Sequence, residues 1–195
     1  MRIIKGQYKG KLIYSEPISN LRPTLGRVKE TFFTLIENNI AFDDACICDI
    51  FAGTGNLGLE SLSRGARKVY FVENNKNSLE LIKTNIDLFK VNDKTTILYA
   101  DVFKAVKLLH DSKVIFDIII LDPPFRKNYM NMLFSDTTFH LLLKVEGILA
   151  CEVEKNYKLQ YSEDHWSILK EKNMAESTLY ILRRIDEESN LSGNI

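Results

Sequence analysis

The feature that most constrains the fold is the glycine pattern Gly-Thr-Gly-Asn-Leu-Gly at 53–58, which follows a short apolar stretch and precedes a helical pattern. Between a buried strand and a helix, glycines at this spacing let the backbone turn tightly, approach a ligand closely and pack the helix against the sheet. The pattern is therefore typical of a parallel α/β sheet that binds an adenosine-containing ligand. Glycine spacing alone does not identify that ligand.

Strand and helix patterns alternate along the chain from residue 46 onward. Short apolar runs predict strands at 47–51, 68–73, 95–100, 116–121 and 147–153. Helical spacing predicts helices at 56–64, 101–110 and 130–143, and one that presents Leu79, Ile82, Ile86 and Phe89 on one face. Two further runs, at 167–172 and 178–183, predict a closing antiparallel pair. We therefore predict a Rossmann-like α/β fold, with a mostly parallel seven-stranded sheet and helices on both faces.

The residues before this alternating region show two other patterns. Residues 2–14 mix apolar and basic side chains between glycines and predict a short β-hairpin. An amphipathic helix is predicted to follow, with Thr24 as its N-terminal cap. We expect a basic N-terminal hairpin extension at 1–22, the main domain at 23–185 and a disordered polar tail at 186–195.

Charge is distributed unevenly along a chain whose net charge is zero. Residues 1–30 carry seven Lys or Arg against two Glu, a net of +5, which leaves the rest of the chain at −5. A basic segment on an acidic domain favours a polyanionic partner such as nucleic acid, although an ordinary solvated surface gives the same composition. The candidates for contacts with nucleic acid are Arg2, Lys5, Lys9, Lys11, Arg22 and Arg27.

Composition argues against several classes of protein. At 195 residues, 45% apolar and 27% charged, the chain suits one globular domain. No apolar run reaches the roughly 20 residues of a membrane-spanning helix, and the N-terminus becomes polar too early for a signal peptide. Three cysteines without an export signal do not indicate disulfides, and the three histidines lack the spacing of metal ligands. We expect a cytoplasmic monomer with no metal and no membrane partner.

Acidic residues lie in or directly after the first three predicted strands, at Asp49, Glu73 and Asp101. Glu73 stands about 20 positions after the glycines, which suits the ribose hydroxyls of either NAD or S-adenosylmethionine. Asp49 favours S-adenosylmethionine, because that molecule carries an ammonium and a sulfonium whereas NAD would bring a pyrophosphate to this loop. The alternative for Asp49 is a structural carboxylate, and the alternative for Glu73 is a solvated strand end. Asp101 could cap the next helix, bind the adenine amino group, or do both.

The strongest indication of chemistry is Asp-Pro-Pro-Phe at 122–125, directly after the fourth predicted strand. The prolines fix the backbone and remove two N–H donors, so nearby carbonyl oxygens are free to accept hydrogen bonds. Asp122 adds a side-chain acceptor, and Phe125 offers a flat face for stacking. Together Asp122, Pro123, Pro124 and Phe125 predict a clamp for an unstacked base, whose exocyclic amine would face an electrophile. A rigid turn that closes the strand is the alternative.

Taken together, the motifs resemble the class I S-adenosylmethionine-dependent methyltransferases that modify exocyclic amines. The pattern R-I-I-x-G-x-x-K-G, from Arg2, and the pattern R-P-T-x-x-R-V-K-E-x-x-F, from Arg22, narrow the resemblance. They are similar to the bacterial 16S rRNA (guanine(966)-N2)-methyltransferases, the RsmD-type enzymes, over the chain from Arg2 to about Arg183. Gly26 and Thr34 depart from the family pattern, which commonly has Asp and Asn at those positions.

This resemblance implies methyl transfer from S-adenosylmethionine to the N2 amine of a guanine in 16S rRNA, within a small ribosomal subunit or an assembly intermediate. It further implies that Asp49, Gly53 and Gly55 line the methionine part of the cofactor, while Glu73 holds the ribose and Asp101 the adenine. Other implied cofactor contacts are Phe51, Thr54, Asn74, Val102 and Thr24. The Asp-Pro-Pro-Phe clamp would hold the guanine, and the basic hairpin would meet the RNA.

Three other functions are consistent with parts of the pattern. Adenine-N6 methyltransferases acting on DNA or RNA share the clamp chemistry, so this activity is the main alternative. The glycine loop also suits an NAD-dependent oxidoreductase, which would bind NAD and not S-adenosylhomocysteine. A non-catalytic RNA-binding module that kept the fold would bind RNA without turnover.

Overall fold

The structure is a computed structural model, and it describes residues 1–15, 23–125 and 128–186, without the side chains of residues 23–25. The strands within these residues are β1 Cys46–Ile50, β2 Lys68–Glu73, β3 Thr95–Tyr99, β4 Phe116–Leu121, β5 Leu143–Glu154, β6 Trp166–Asn173 and β7 Ser177–Arg184. The α-helices are α1 Pro23–Glu37, α2 Asn56–Ser63, α3 Lys76–Phe89, α4 Val102–Asp111 and α5 Tyr129–Ser135. Short 3-10 turns cover Asn92–Lys94 and His140–Leu142.

All seven strands form one sheet in the order β3-β2-β1-β4-β5-β7-β6. The first five strands are parallel to their neighbours, and β7 pairs antiparallel with both β5 and β6. The direction of winding therefore reverses between β1 and β4, which is where ligands bind in sheets of this type. The predicted mostly parallel seven-stranded sheet is confirmed.

Apolar cores cover both faces of the sheet. On one face α1, α2, α3 and the N-terminal segment contribute buried side chains such as Phe32, Leu59 and Ile86. On the other face α4 and α5 contribute Val106 and Leu133. Removing these apolar side chains from water is the main favourable contribution to folding. Among the described residues, no helix has the length and apolar character needed to cross a membrane.

Most element boundaries lie within one residue of the predicted ones, and those of β2 and β4 match. The start of α1 differs, because the helix begins at Pro23, whose fixed φ and missing N–H suit the first helical position. Thr24 is therefore the second residue of the helix, and its prediction as the cap was wrong. Arg22 and residues 187–195 of the predicted tail lie outside the described residues.

The helix predicted at 130–143 was wrong in its second half. Helix α5 ends at Ser135, and β5 begins at Leu143 rather than at residue 147. The side chain of Asp136 accepts hydrogen bonds from the backbone N–H of Thr138, at 2.8 Å, and from its hydroxyl, at 2.7 Å. Such a local turn offers the backbone an alternative to the helix, which is why apolar spacing alone extended the prediction too far.

Gly58 lets α2 approach the sheet closely. A Cβ atom at this position would lie 2.2 Å from the Phe71 ring in β2 and 2.8 Å from the side chain of Val69. Gly58 is the last glycine of the pattern at 53–58, and close packing of helix against strand is the role that this position serves in such loops.

We expect Gly58→Ala to destabilise the fold by about 1–3 kcal/mol, because the ring of Phe71 has to move to admit the methyl group. Gly26→Ala is the matched control, since Gly26 is also helical but has nothing within 4 Å of an added Cβ. Gly26→Ala should stabilise the fold by up to ~1 kcal/mol, because alanine has the higher helix propensity. Urea unfolding measures both, and equal effects of the two substitutions would contradict the packing role.

The N-terminal segment, residues 1–15, folds back on itself and docks on α2. Arg2 and Leu12 form an antiparallel bridge, in keeping with the predicted hairpin. Ser63 in α2 accepts from the N–H of Tyr8 at 2.9 Å and donates to the carbonyl of Lys5 at 2.6 Å through its hydroxyl. Gly6 lies so close that an added Cβ would be 1.7 Å from the carbonyl oxygen of Ser63. The division of the chain into extension, domain and tail stays a prediction.

Glu60 in α2 anchors this segment and α1 from inside the protein. Its fully buried carboxylate accepts from the N–H groups of Ile4 and Lys5, at 2.8 and 3.0 Å. It also pairs with Lys29 of α1 at 2.8 Å and with Arg64 at 3.0 Å. Burial lowers the pKa of Lys29, while the neighbouring Glu60 charge opposes that shift. Four donors match the roughly four acceptor sites of one carboxylate, so the buried charge is fully partnered.

Replacing Glu60 with Gln should therefore cost about 3–5 kcal/mol, because Lys29 stays buried without its counter-charge. Glu80→Gln is the control, since Glu80 pairs with Lys83 at 2.8 Å on the exposed surface of α3. That surface pair should contribute no more than about 1 kcal/mol. The free energies of unfolding of both variants, measured in urea at neutral pH, check the difference; a loss at Glu60 no larger than at Glu80 would rule out this anchor.

Candidate active site

The predicted acidic residues gather at the carboxyl edge of the sheet. Asp49 lies in β1, Glu73 ends β2, Asp101 follows β3 and Asp122 follows β4. These strands are parallel and lie side by side, so their carboxyl ends meet at one edge. The glycine loop after β1 lies at the same edge. The fold thus brings together residues that are up to 73 positions apart in sequence.

Glu73 holds the glycine loop in place. Its carboxylate accepts from the backbone N–H of Gly53 at 2.8 Å, and from those of Asn74 at 2.8 Å and Asn75 at 2.7 Å. Three of roughly four acceptor sites are therefore used within the protein, and one remains for a ligand hydroxyl. Glu73 is nearly buried, so it is not the solvated strand end that was the alternative. Its contact with a ribose stays a prediction.

The glycine loop presents an open backbone surface toward the carboxyl edge. Gly53 and Gly55 both have left-handed backbone conformations, with φ of +57° and +78°. An added Cβ at Gly53 would meet nothing within 4 Å, which leaves room for a ligand to approach the backbone. Between the two glycines, the carbonyl of Thr54 accepts from the buried Asn85 side chain at 2.9 Å. Asn85 also bonds the N–H of Tyr14 at 2.7 Å, so the loop and the N-terminal segment share one support.

Phe51 connects this loop to an aromatic group. Its φ is +65°, an uncommon conformation for a bulky residue and one that is often kept for a functional reason. The Phe51 ring lies 5.0 Å from that of Tyr129 at the start of α5, and the Tyr129 ring lies 6.3 Å from that of Phe103. These rings form an apolar wall beside the glycine loop.

Asp49 is buried beneath the loop. Its carboxylate accepts from the N–H of Gly58 at 2.8 Å, so part of its role is structural. Burial raises the pKa of Asp49 well above its usual value, and the charges of Asp122 and Glu73 raise it further. The carboxylates at this edge therefore repel one another, and a cation bound among them would relieve that repulsion.

The other residues predicted to contact the cofactor differ in their burial and in their hydrogen bonds. Asp101 caps α4 by accepting from the N–H of Phe103 at 3.0 Å, and it is exposed, which leaves acceptor capacity for a ligand. Val102 is buried in the core. Asn74 is exposed. Thr24 is described by its backbone alone, so its contact stays a prediction, as do those of the other three.

Asp122 leads the Asp-Pro-Pro-Phe segment at the end of β4. The residue as a whole is exposed, but protein packed around its carboxyl group raises its pKa to about 7, and the Glu152 charge adds to the shift. Pro123 is buried, whereas Phe125 leaves 43% of its surface exposed. A rigid turn with one acceptor and one exposed ring is the arrangement that the base-clamp hypothesis requires.

Several predicted RNA-binding residues already have partners within the protein. Lys5 pairs with Glu37 at 3.1 Å, and the guanidinium of Arg2 donates to the carbonyl of Gly10 at 2.7 Å. Lys11 donates to the carbonyl of Leu88 at 2.7 Å and lies 4.4 Å from the Phe89 ring centre. The contacts of Lys5 and Lys11 hold the N-terminal segment on the domain, and that of Arg2 closes the segment on itself. Lys9 and Arg27 are exposed, and among the described contacts their side chains make no hydrogen bond or ion pair of this kind.

The sequence-based prediction missed Glu152 as a candidate for this site. Leu121 of β4 pairs with Cys151 of β5, so the following residues, Asp122 and Glu152, lie side by side on neighbouring parallel strands. An acidic residue inside an otherwise apolar predicted strand was the available signal. Only the register between the two strands shows that it lies next to Asp122.

Comparison with known proteins identifies the family. The family described as "Conserved hypothetical protein 95" matches residues 1–183. The protein named ribosomal RNA small subunit methyltransferase D of Haemophilus influenzae is 33% identical over 172 residues, which cover 88% of each chain. The Escherichia coli protein of the same name is 30% identical over 172 residues, covering 88% of this chain and 84% of its own. The chain belongs to this RsmD-type methyltransferase family.

A solved structure supports the same assignment. The putative methyltransferase yhhF of Escherichia coli superposes with a TM-score of 0.77 at 28% identity, covering 95% of this chain and 98% of its own. The predicted family, the class I methyltransferase fold and S-adenosylmethionine as the cofactor are thereby confirmed. The residues fit that cofactor, because open space beside Gly53 can admit it and its positive charges suit the buried carboxylate of Asp49, whose pKa is raised.

Asp122 gives the site a predicted pH dependence. With a pKa of about 7, the carboxyl group of Asp122 is protonated below neutrality. In that state it lacks the negative charge with which the ionised group would accept a hydrogen bond from an amine. We expect kcat/KM for methyl transfer to rise with pH through about 7 and to level off above it. Initial rates between about pH 5.5 and 8.5 test this, and a flat profile in the wild-type protein would contradict the assigned role.

Proposed function

We propose that this protein transfers a methyl group from S-adenosylmethionine to the exocyclic N2 amine of a guanine in 16S rRNA. The supporting observation is the rigid Asp-Pro-Pro-Phe turn at the carboxyl end of β4, one strand from the glycine loop. The relatives named small-subunit rRNA methyltransferases support the same substrate. We place the reaction in the cytoplasm, on a small ribosomal subunit or an assembly intermediate, with the protein acting as a monomer.

The cofactor is held by residues from successive strands. S-adenosylmethionine supplies an electrophilic methyl group when it is bound. Glu73 would use its remaining acceptor site for a ribose hydroxyl, and Asp101 would accept from the adenine amino group. The buried carboxylate of Asp49 would attract the positively charged methionine part of the cofactor. The bound positive charge would in turn favour the ionised form of Asp49, whose pKa is otherwise raised by burial. Gly53 would allow close approach to the backbone.

The target base is held by the clamp. Phe125 keeps 43% of its surface exposed, so its face is available to stack on a base, an interaction typically worth roughly 1–3 kcal/mol. A base that reaches this turn must be unpaired or flipped out of its helix. The prolines keep the turn rigid, so that the amine is positioned before reaction rather than during it.

Asp122 would orient the amine and activate it electrostatically. The N2 amine of guanine is a weak nucleophile, because its lone pair is delocalised into the ring. An ionised carboxylate at hydrogen-bond distance favours the positive charge that develops on the nitrogen as the new bond forms. With a pKa of about 7, Asp122 is also suited to receive the proton that the methylated amine releases.

The acidic character of the site opposes an NAD-dependent reaction. Beyond the effect of burial, the charges of Asp122 and Glu73 already raise the pKa of Asp49, and a pyrophosphate would add two further negative charges at the same edge. Adenine-N6 methylation uses the same clamp chemistry and is the outcome that the product analysis must distinguish.

The test uses purified protein, labelled S-adenosylmethionine and small ribosomal subunits from cells that lack this modification, with naked 16S rRNA in parallel. We expect N2-methylguanosine after nucleoside digestion. If N6-methyladenosine forms instead, the target base is adenine rather than guanine, and methyl transfer to an exocyclic amine still holds. No transfer to either RNA substrate, with S-adenosylhomocysteine still bound, would favour the non-catalytic RNA-binding function.

Asp122→Asn should reduce turnover by at least about 100-fold, as expected when a charged group that acts in the transition state is removed. Affinity for S-adenosylhomocysteine should change by less than about threefold, because the substitution lies outside the proposed cofactor contacts. Above pH 7 the variant should be at least as stable as the wild type, because the raised pKa means that ionising Asp122 opposes folding. Turnover at the wild-type rate would refute the clamp.

A further inference from the structure

Glu152 places a second carboxylate beside the clamp. It lies in β5, next to the strand that ends at Leu121, and the pairing of Leu121 with Cys151 puts Glu152 level with Asp122. Neighbouring strands are roughly 4.8 Å apart, so side chains at this level are within reach of one small planar ligand. Burial raises the pKa of Asp122, and at this distance the charge of Glu152 raises it further.

The surroundings of Glu152 leave its carboxylate with unused acceptor capacity. Burial raises the pKa of Glu152, whereas the hydroxyl of Ser177, at the start of β7, acts on this carboxylate and lowers that pKa. Among the described residues it forms no ion pair with Lys or Arg, although it is partly buried in a strand of apolar neighbours. A carboxylate offers about four acceptor sites, so one hydroxyl leaves most of them available. Buried carboxylates with spare acceptors favour ligands that bring donors.

Guanine and adenine differ at the ring nitrogen next to the amine. In guanine the N2 amine lies beside N1–H, so the Watson–Crick edge presents adjacent donors. In adenine the N6 amine lies beside N1, which carries a lone pair and only accepts. Two neighbouring carboxylates therefore complement guanine, whereas one of them would face the lone pair of adenine without a hydrogen bond.

We propose that Glu152 determines base specificity by accepting a hydrogen bond from guanine N1–H while Asp122 accepts from the N2 amine. This proposal rests on the proposed function, because it needs a guanine in the clamp. Ser177 acts as a positioning residue for Glu152 through its hydroxyl. A site built to bond an N–H group rejects analogues that lack it, because its acceptor is then left unpaired.

The experiment compares two target bases that both carry the reactive amine. Small subunits are reconstituted with 16S rRNA that has either guanine or 2-aminopurine at the methylated position. The analogue keeps the amine at C2 but has a lone pair at N1 in place of N1–H. Rates are measured for the wild type, for Glu152→Gln and for the control Glu146→Gln. Glu146 lies at the opposite end of the same strand, where it pairs with Arg183 at 3.2 Å.

We expect the wild type and Glu146→Gln to prefer guanine over 2-aminopurine by about 10- to 100-fold, the range for a hydrogen bond to a charged group. Glu152→Gln should slow guanine methylation and reduce this preference by at least about tenfold, because the Gln amide can donate to the lone pair of the analogue. A role of Glu152 in folding alone would slow both substrates equally and leave the preference unchanged.

The outcomes separate this proposal from the proposed function. If the wild type forms N2-methylguanosine and Glu152→Gln keeps the wild-type preference, the specificity role of Glu152 is wrong and the proposed function stands. If the wild type methylates adenine in the guanine-containing substrate, both are wrong. If Glu152→Gln does not fold, the wild-type protein alone still tests the proposal. A wild-type preference for guanine over 2-aminopurine below about threefold would overturn the specificity role of Glu152.

Discussion

The buried carboxylate of Glu60 is the contact through which the active-site elements keep their positions. Its four donors come from the N-terminal segment, from α1 and from Arg64 directly after α2, so a single group of atoms joins three separate pieces of chain. Helix α2 begins at Asn56 within the glycine pattern, and α1 begins at Pro23. Any shift of one element would leave a buried donor or acceptor without a partner, which is costly inside a protein.

The carboxyl edge of the sheet shows the opposite arrangement, since Asp49, Asp122 and Glu152 form no ion pair among the contacts of the described residues. Asp49, Asp122 and Glu152 all have raised pKa values, with burial as the first cause in each case. Such a cluster opposes folding in the absence of ligands and favours a cation and hydrogen-bond donors when they arrive. Stability is thus reduced at the place where we propose that the cofactor and the base bind, a common exchange of stability for activity.

Sequence patterns predicted the sheet, the glycine loop and the position of the Asp-Pro-Pro-Phe turn because those features depend on local spacing and on residue types with few structural uses, while the clamp role of that turn stays a prediction. The break after Ser135 was missed because it depends on the side chain of Asp136 rather than on apolar periodicity. The partners of Lys11 and Glu60 were missed because they lie far away in sequence, as Leu88 does from Lys11. Charge in the first 30 residues predicted RNA contacts, but it could not show that several of these cations hold the segment in place.

The docking of the N-terminal segment also imposes an order on synthesis. Residues 1–15 are synthesised before the domain residues that hold them, since the N–H of Tyr14 donates to Asn85, which lies 71 positions later. At typical elongation rates the segment waits roughly 4–14 s before that partner has been made. During this interval it is an unattached basic peptide beside the ribosome that is making it. The contacts that complete the fold therefore form only after this cationic segment has spent several seconds without its partners in the domain.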